Sequence, residues 1–299
     1  EAELKAFFLG TKHLKDIEIG VAALKVSPEE LLRSIERNAD KDAGAALAPQ
    51  DRRRDNPDAK PQGPAFELAF MPVWSAASSM LALFAATPLL DDGSGRVLTR
   101  PAARDAVEAL DRAVLDRIAQ SLEAGASKAG AVAAPVGYST LTDAARRVAY
   151  LGALRDLERT HGRRLILRVV DTPADAPATV LNQALRMAGP SAAHLAVDVT
   201  TAGPHALTRF SGGSADIFIL AAPPDAGALA ARLDAYRVVA RDAERLGARL
   251  WITNCRSADA ARMALAAGAQ FLSGGAIAKP GPNPGPVRQF ALAPARQAG

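Results

Sequence analysis

The sequence predicts an α/β fold, a TIM-type (β/α)8 barrel preceded by a short strand and helix segment. Three observations lead to this fold class. Apolar runs of strand length recur eight times after residue 65. Stretches with the periodicity of amphipathic helices separate most of these runs. The strand-length runs are almost continuously apolar, as a parallel sheet that is buried on both faces requires.

Predicted strands and helices alternate along this part of the chain. Strands are predicted at 66–70, 81–87, 131–136, 165–170, 195–199, 217–221, 250–253 and 271–272. Helices are predicted at 103–122, 142–159, 178–187, 227–246 and 258–266. In a barrel of this type, functional side chains lie at the carboxyl ends of the strands. Those strand ends are therefore where we expect a site.

The chain is predicted to divide near residue 60. Residues 48–64 are polar, charged and rich in proline, which predicts a linker. Residues 1–47 predict a strand and helix segment, and residues 65–290 form the expected barrel, with a disordered tail at 291–299. Because the chain begins at Glu1 without a methionine or a signal pattern, we expect it to be a piece of a longer protein.

Composition excludes several classes of function. The chain of 299 residues is 49% hydrophobic, enough for a large core. Its net charge is +4, but the basic residues are spread out, the one dense cluster at 52–54 is flanked by aspartates, and aromatics are only 5%. This argues against a nucleic-acid surface. One cysteine and the lack of a long apolar run predict a cytoplasmic protein without a membrane span.

The end of the predicted barrel resembles a known family. The strand at 250–253 and the segment at 268–280, Gly-Ala-Gln-Phe-Leu-Ser-Gly-Gly-Ala-Ile-Ala-Lys-Pro, are similar to the closing strand–helix–strand unit of the EAL domain, the cyclic-di-GMP phosphodiesterase family. In that family the first strand ends in a metal-site Glu and the second carries a Gln. Thr253 and Ser273 stand at these two places. The resemblance covers residues 65 to about 281.

The same resemblance assigns positions to the rest of the family's site. The E-A-L tripeptide falls by spacing on 85–87, so that Ala85 stands at its Glu. Arg168 stands at a metal-binding Glu, Asp171 at the second Glu of that motif, and Asp198 at the first of two paired aspartates. We call Ala85, Arg168, Asp171, Asp198, Thr253 and Ser273 the vestigial site. The resemblance places further lost polar groups at Met71, Leu89, Pro135, Val199, Ile219 and Ala221.

These substitutions imply that the family's chemistry is absent. Hydrolysis with two metal ions needs oxygen ligands for both ions, and an arginine with a single metal-binding carboxylate cannot provide them. The resemblance therefore implies an inactive domain with no catalytic residue, no metal and no cofactor. Because a lone buried charge is costly, we expect Arg168 and Asp198 to form an ion pair in the vacated site. The alternative is that either side chain reaches solvent at the barrel mouth.

Two other chemistries are weighed against this interpretation. Cys255 follows a strand, but no histidine accompanies it in the equivalent loops, so a structural thiol is preferred to a nucleophile. The run Ser-Gly-Gly-Ala at 273–276 is a pattern that can cradle a phosphate, which keeps an unrelated phosphate-handling barrel enzyme as an alternative. Against it, no strand end offers a lysine for a Schiff base or a placed acid–base pair.

The predicted function is that of an inactive EAL-like domain in a bacterial cyclic-di-GMP signalling protein. It would act as a scaffold for a protein partner or a second copy, with a homodimer expected. The first alternative is a receptor that binds cyclic di-GMP without hydrolysing it. The segment at 1–47, whose helix would begin with Ser27 as N-cap and Pro28 at the first helical position, is either the tail of a GGDEF-like domain or a helical lead-in.

Overall fold

The computed structural model describes residues 66–91, 97–98, 104–124, 129–161 and 165–292. The segments predicted at 1–47 and 48–64 lie outside these residues, as does the tail from 293 onward. Those domain assignments therefore stay predictions.

Each of the eight predicted strands is present in the described part of the chain. The strands are β1 (Glu67–Ser75), β2 (Met80–Asp91), β3 (Val97–Leu98), β4 (Ala131–Gly137), β5 (Leu165–Val170), β6 (His194–Asp198), β7 (Ile217–Ala221), β8 (Arg249–Thr253), β9 (Phe271–Ser273) and β10 (Arg288–Gln289). The short strands β3 and β10 were not predicted.

The helices also follow the predicted order. They are α1 (Arg104–Ala124), α2 (Tyr138–Thr142), α3 (Ala144–His161), α4 (Ala178–Ala188), α5 (Ala226–Ala231), α6 (Leu233–Arg245) and α7 (Ala258–Ala266). A single helix was predicted at 227–246, but it is divided in two at Arg232. Each of α1, α3, α4 and α7 begins and ends within two residues of its predicted bounds. None of the described helices combines the length and apolarity needed to cross a membrane.

The sheet closes into a barrel, which confirms the predicted fold class. Its strands follow the order β1, β9, β8, β7, β6, β5, β4 and β2, and β2 pairs again with β1. The pairs from β2 through β4 to β9 are parallel. β1 departs from a regular TIM barrel because it is antiparallel to both β2 and β9. The turn at 76–79 is too short for a crossover, so it can only reverse the chain.

Apolar side chains fill both sides of the barrel wall. The interior cluster consists of Val73, Ala82, Leu83, Ala85, Ala131, Ala133, Ile166, Ala196, Ile217, Ile219, Trp251 and Phe271. Neighbouring residues such as Phe218, Leu220 and Ile252 belong to the larger cluster that contacts the helices. This alternation explains why the strand sequences are apolar at nearly every position.

The segment after β9 contacts the β1–β2 hairpin. The amide of Phe70 donates to the carbonyl of Gly281 at 2.7 Å, and the indole Nε1 of Trp74 donates to the carbonyl of Phe290 at 2.8 Å. β10 pairs with the beginning of β2. Val287 of this segment packs against the interior cluster, and the amide of Gly130, just before β4, donates to the carbonyl of Gly285 at 3.0 Å, so this part of the segment lies at the amino ends of β2 and β4.

Candidate functional site

The vestigial-site residues lie where the strand register predicts. Ala85 belongs to the interior cluster. Four others each stand two positions after an interior-cluster residue of their own strand, namely Arg168 after Ile166, Asp198 after Ala196, Thr253 after Trp251 and Ser273 after Phe271. Since side chains on a strand alternate between its faces, these four share the inner face at the carboxyl ends. Asp171 follows β5 with a positive φ of 55°.

Arg168 and Asp198 form a bidentate ion pair. Nε of Arg168 donates to Oδ1 of Asp198 at 2.8 Å, and Nη2 donates to Oδ2 at 2.7 Å. The two side chains are 17% and 28% exposed, so water screens the pair only partly. In the register of β5 and β6, Arg168 lies opposite Ala196, and its long side chain reaches forward to Asp198. The ion pair expected from the sequence is confirmed.

The surroundings keep Arg168 charged. Burial by itself lowers the pKa of the Arg168 guanidinium, but the charge of Asp198 and its hydrogen bonds oppose this, and Asp171 adds to their effect. The net result is a pKa above the ordinary value for arginine. The centre of the site therefore holds a permanent organic cation compensated by carboxylates.

Trp251 connects this pair to Ser273. The Cζ atom of Arg168 lies 5.6 Å from the centre of the Trp251 ring, within the range of a cation–π contact. The fully buried indole donates from Nε1 to Oγ of Ser273 at 3.0 Å. Trp251 was not among the predicted site residues. Its position two residues before Thr253, on the same inner face, was the signal that could have identified it.

The three remaining residues of the vestigial site, Ala85, Thr253 and Asp171, each have different surroundings. Ala85 is buried among the apolar residues of the barrel interior. The hydroxyl of Thr253 donates to the carbonyl of Leu220 at 3.3 Å, on the neighbouring strand. Asp171 lines two cavities at the barrel mouth.

The cavity beside the ion pair is small. It has a volume of about 160 Å³ and is lined by Ala86, Thr87, Pro88, Pro135, Arg168, Val170, Asp171 and Asp198. A second cavity of about 510 Å³ adjoins it at Asp171 and is lined by residues of α2, the beginning of α3 and the loop after β5. Pockets for drug-sized ligands usually measure about 300–1,000 Å³. The space next to Arg168 is below that range.

The side chains present do not fit a pair of metal ions. Within the described ranges, no three His, Cys, Asp or Glu side chains are grouped so that they could hold a metal ion. At three positions that the resemblance assigns to ligands stand a methyl group at Ala85, a cation at Arg168 and a hydroxyl engaged with a carbonyl at Thr253. Divalent cations that drive hydrolysis need several carboxylate or carbonyl oxygens. This donor set cannot supply them.

The geometry supports neither a nucleophilic role for Cys255 nor a phosphate site in the loop after β9. Cys255 is fully buried, and burial raises the pKa of its thiol to about 12, as expected for a structural cysteine. In the loop after β9, the amide of Ala276 donates to the carbonyl of Cys255, and the amides of Ile277 and Ala278 donate to Gly274. These three amides already donate to carbonyls and are not available to a phosphate.

Comparison with known proteins shows which known fold this chain shares. Neither a protein-family model nor a curated protein sequence matches the chain. Solved structures do match it. The EAL domain of Xanthomonas citri FimX, in complex with c-diGMP, is 18% identical with a TM-score of 0.54, over 73% of this chain and 88% of that chain.

Two further structures show the same likeness. The Listeria monocytogenes EAL domain protein is 13% identical with a TM-score of 0.55, over 87% of this chain and 96% of that one. Bacillus subtilis YkuI, in complex with substrate c-di-GMP and calcium, is 14% identical with a TM-score of 0.57, over 73% of this chain and 56% of that one. The chain therefore has the fold of EAL domains, as its sequence motifs predict.

Proposed function

We propose that this chain is a catalytically inactive EAL-like domain that acts by binding, as a scaffold in cyclic-di-GMP signalling. The observation that carries the proposal is the ion pair between Arg168 and Asp198. In the EAL resemblance these two residues stand at metal-ligand positions, and here they are bonded to each other.

Electrostatics supports the loss of hydrolysis. A divalent ion about 4 Å from the Arg168 guanidinium would meet a repulsion of roughly 8 kcal/mol at an effective dielectric constant near 20. It would also compete with two hydrogen bonds for the carboxylate of Asp198. Without a bound cation, the site has no group that lowers the pKa of water enough to form hydroxide at neutral pH.

Charge and size favour a scaffold over a nucleotide receptor. A phosphodiester entering the cavity beside Arg168 would meet a guanidinium already paired with Asp198 and the nearby carboxylate of Asp171. The cavity of about 160 Å³ beside Arg168 is by itself small for a cyclic dinucleotide, which would also have to occupy the adjoining cavity of about 510 Å³. The FimX and YkuI structures contain c-di-GMP, which makes nucleotide binding the outcome that must be tested.

Two measurements on the full chain test the proposal. Incubation with cyclic di-GMP and Mg²⁺ or Mn²⁺ should give no linear dinucleotide above the rate without protein. Calorimetry at physiological salt should show no saturable binding at micromolar concentrations. Turnover that is abolished by Asp198→Ala would refute the inactive site. Saturable binding that is lost in Arg168→Met would replace the scaffold with a receptor.

Self-association is a separate part of the proposal. We infer that a second copy of the chain is one partner of the scaffold. Light scattering over a range of protein concentrations should then show a mass that rises toward twice the 31.1 kDa of one chain. A constant mass of one chain would remove the homodimer from the proposal and leave other protein partners.

A further inference from the structure

An open groove lies between α1 and α3, on the helical layer of the barrel and not at its mouth. Its volume is about 600 Å³. Leu115 and Ala119 line it from α1, and Val148, Ala149, Gly152 and Ala153 line it from α3. The two helices are linked by an ion pair between Arg146 and Glu108 at 3.0 Å. The groove is therefore a feature of packed helices, with small side chains on one wall.

Gly152 has no evident role within the fold. It lies in the middle of α3, and a Cβ atom at this position would have no neighbour within 4 Å. A glycine inside a helix costs about 1 kcal/mol relative to alanine. The described structure leaves room for a side chain at this position, so the glycine leaves space for a backbone that approaches from outside the chain.

Two more features of the groove lack a partner within the described residues. Val148 is 68% exposed, the highest value among the large hydrophobic side chains that the structure describes as exposed. At one end of the groove, the Nε2 atom of His161 is buried and has no hydrogen-bond partner in the described part of the chain. Buried polar atoms are nearly always bonded, so an unpaired one requires an explanation.

The side chains at the rim of the groove carry a net negative charge, whereas the net charge of the whole chain is positive. Three carboxylates, those of Asp116, Glu123 and Asp156, line it together with one guanidinium, that of Arg112. The chain carries a net charge of +4. Asp116 pairs with Arg112 and Asp156 pairs with Arg159, so these charges compensate each other and Glu123 is the carboxylate in excess. The rim therefore attracts a basic partner.

We propose that this groove binds an amphipathic helix of a partner protein. The helix presents small and apolar side chains to Gly152 and Val148, and lysine or arginine to the acidic rim. A third helix laid along two packed helices approaches to about 8–10 Å between axes, and the small residues of α3 permit the close end of that range. The inference rests on the proposed scaffold function, for which it names the docking surface.

The test uses a synthetic helix and the full chain labelled with ¹⁵N. The peptide has the 18-residue length of α3, with leucine and alanine on one face and lysine on the flanks. Titration should give saturable chemical-shift changes concentrated at Ala119, Ala149, Gly152 and Ala153. A Cβ atom at Gly152 meets nothing within 4 Å, and leucine is a better helix former than glycine, so Gly152→Leu should not lower the melting temperature and should weaken binding at least about tenfold.

Two controls give the experiment its specificity. Val180→Asp changes an exposed apolar side chain on α4, outside the groove, and should leave the affinity unchanged. A peptide with glutamate in place of lysine should bind at least about tenfold more weakly. Equal binding of this peptide, equal binding by Gly152→Leu, or shifts scattered over the surface would overturn the proposal.

A self-contact at this groove would also overturn it. If light scattering shows a dimer that Gly152→Leu dissociates, the occupant is a second copy and not a partner helix. Neither hydrolysis nor nucleotide calorimetry involves this groove. Failure of the docking experiment therefore leaves the proposed function standing, and turnover of cyclic di-GMP would refute the proposed function without affecting the groove.

Discussion

The indole of Trp251 lies against the guanidinium of Arg168, whose Cζ atom is 5.6 Å from the ring centre. This contact joins two polar interactions that span several strands. Arg168 on β5 binds Asp198 on β6, and Trp251 on β8 donates to Ser273 on β9. The barrel mouth is therefore held by one connected unit of four side chains.

Removing Arg168 should destabilise the fold. Arg168→Met leaves the partly buried Asp198 carboxylate without its cation, and we expect a loss of about 2–4 kcal/mol in the free energy of unfolding. Asp198→Asn should recover part of this loss in the double variant. A double-mutant cycle measured by urea unfolding should give a coupling energy of about 1–3 kcal/mol.

The matched control for this cycle is an exposed pair. Arg159 and Asp156 on α3 are 2.9 Å apart, with side chains that are 78% and 71% exposed. Their coupling energy should be below about 0.5 kcal/mol. Equal coupling in the two cycles would mean that the Arg168 pair is screened like a surface pair and does not hold the site together.

Gly274 should not tolerate a side chain. Its φ is +136°, and a Cβ atom would overlap the backbone of Cys255. Gly274→Ala is therefore expected to lower the free energy of unfolding by about 2 kcal/mol or more. Gly275→Ala is the control because open space surrounds that position, and its effect should stay within about 0.5 kcal/mol. Thermal melts of the two variants that coincide would contradict this account of the loop.

The strand positions could be predicted because they depend on the local pattern of apolar residues. The ion pair could be predicted once the two strands were known to be neighbours. Strands such as Ile217–Ala221 are apolar throughout, and a barrel requires the strand ends to meet at one rim. Once Arg168 and Asp198 were placed on neighbouring strands, the cost of an isolated charge implied that they pair. The antiparallel direction of β1 relative to its neighbours could not be predicted in this way, because the periodicity of a strand is the same whichever way it runs.

Other features escaped prediction because they depend on distant parts of the chain. The division between α5 and α6 at Arg232 interrupts a stretch whose composition favours a helix throughout. The pairing of Arg288–Gln289 with β2 joins residues more than 200 positions apart. The inward position of Trp251 followed from its place two residues before Thr253, but its contacts with Arg168 and Ser273 required knowing that β5, β8 and β9 surround one interior. Such relations are set by tertiary packing and leave no signal in a short window of sequence.

Asp111 should be a strong stability determinant outside the site. This carboxylate on α1 is buried, and its Oδ2 accepts from the amide of Gly137 at 2.9 Å and from the hydroxyl of Thr140 at 2.7 Å. Asp111→Ala leaves both donors unpaired, and we expect a loss of about 2–4 kcal/mol in chemical unfolding. Asp116→Ala, an exposed carboxylate on the same helix, should cost less than about 0.5 kcal/mol. Similar losses in both variants would show that the buried bonds are not responsible.

The Cys255 thiol should make stability fall at alkaline pH. Burial raises its pKa to about 12, whereas an unfolded cysteine titrates near about 8.5. The folded state therefore keeps a proton that the unfolded state releases. The resulting stability is fully present below about pH 8.5 and is lost, by at most about 1.4 kcal/mol per pH unit, as the pH rises toward 12.

Urea unfolding of the wild type and Cys255→Ala at increasing pH should give free energies whose difference changes by that slope only above about pH 8.5. A thiol reagent at pH 8 should modify the unfolded chain rapidly and the folded chain only as fast as it opens. A difference that stays constant up to pH 11, or rapid modification of the folded chain, would mean that the thiol is not buried as the structure has it.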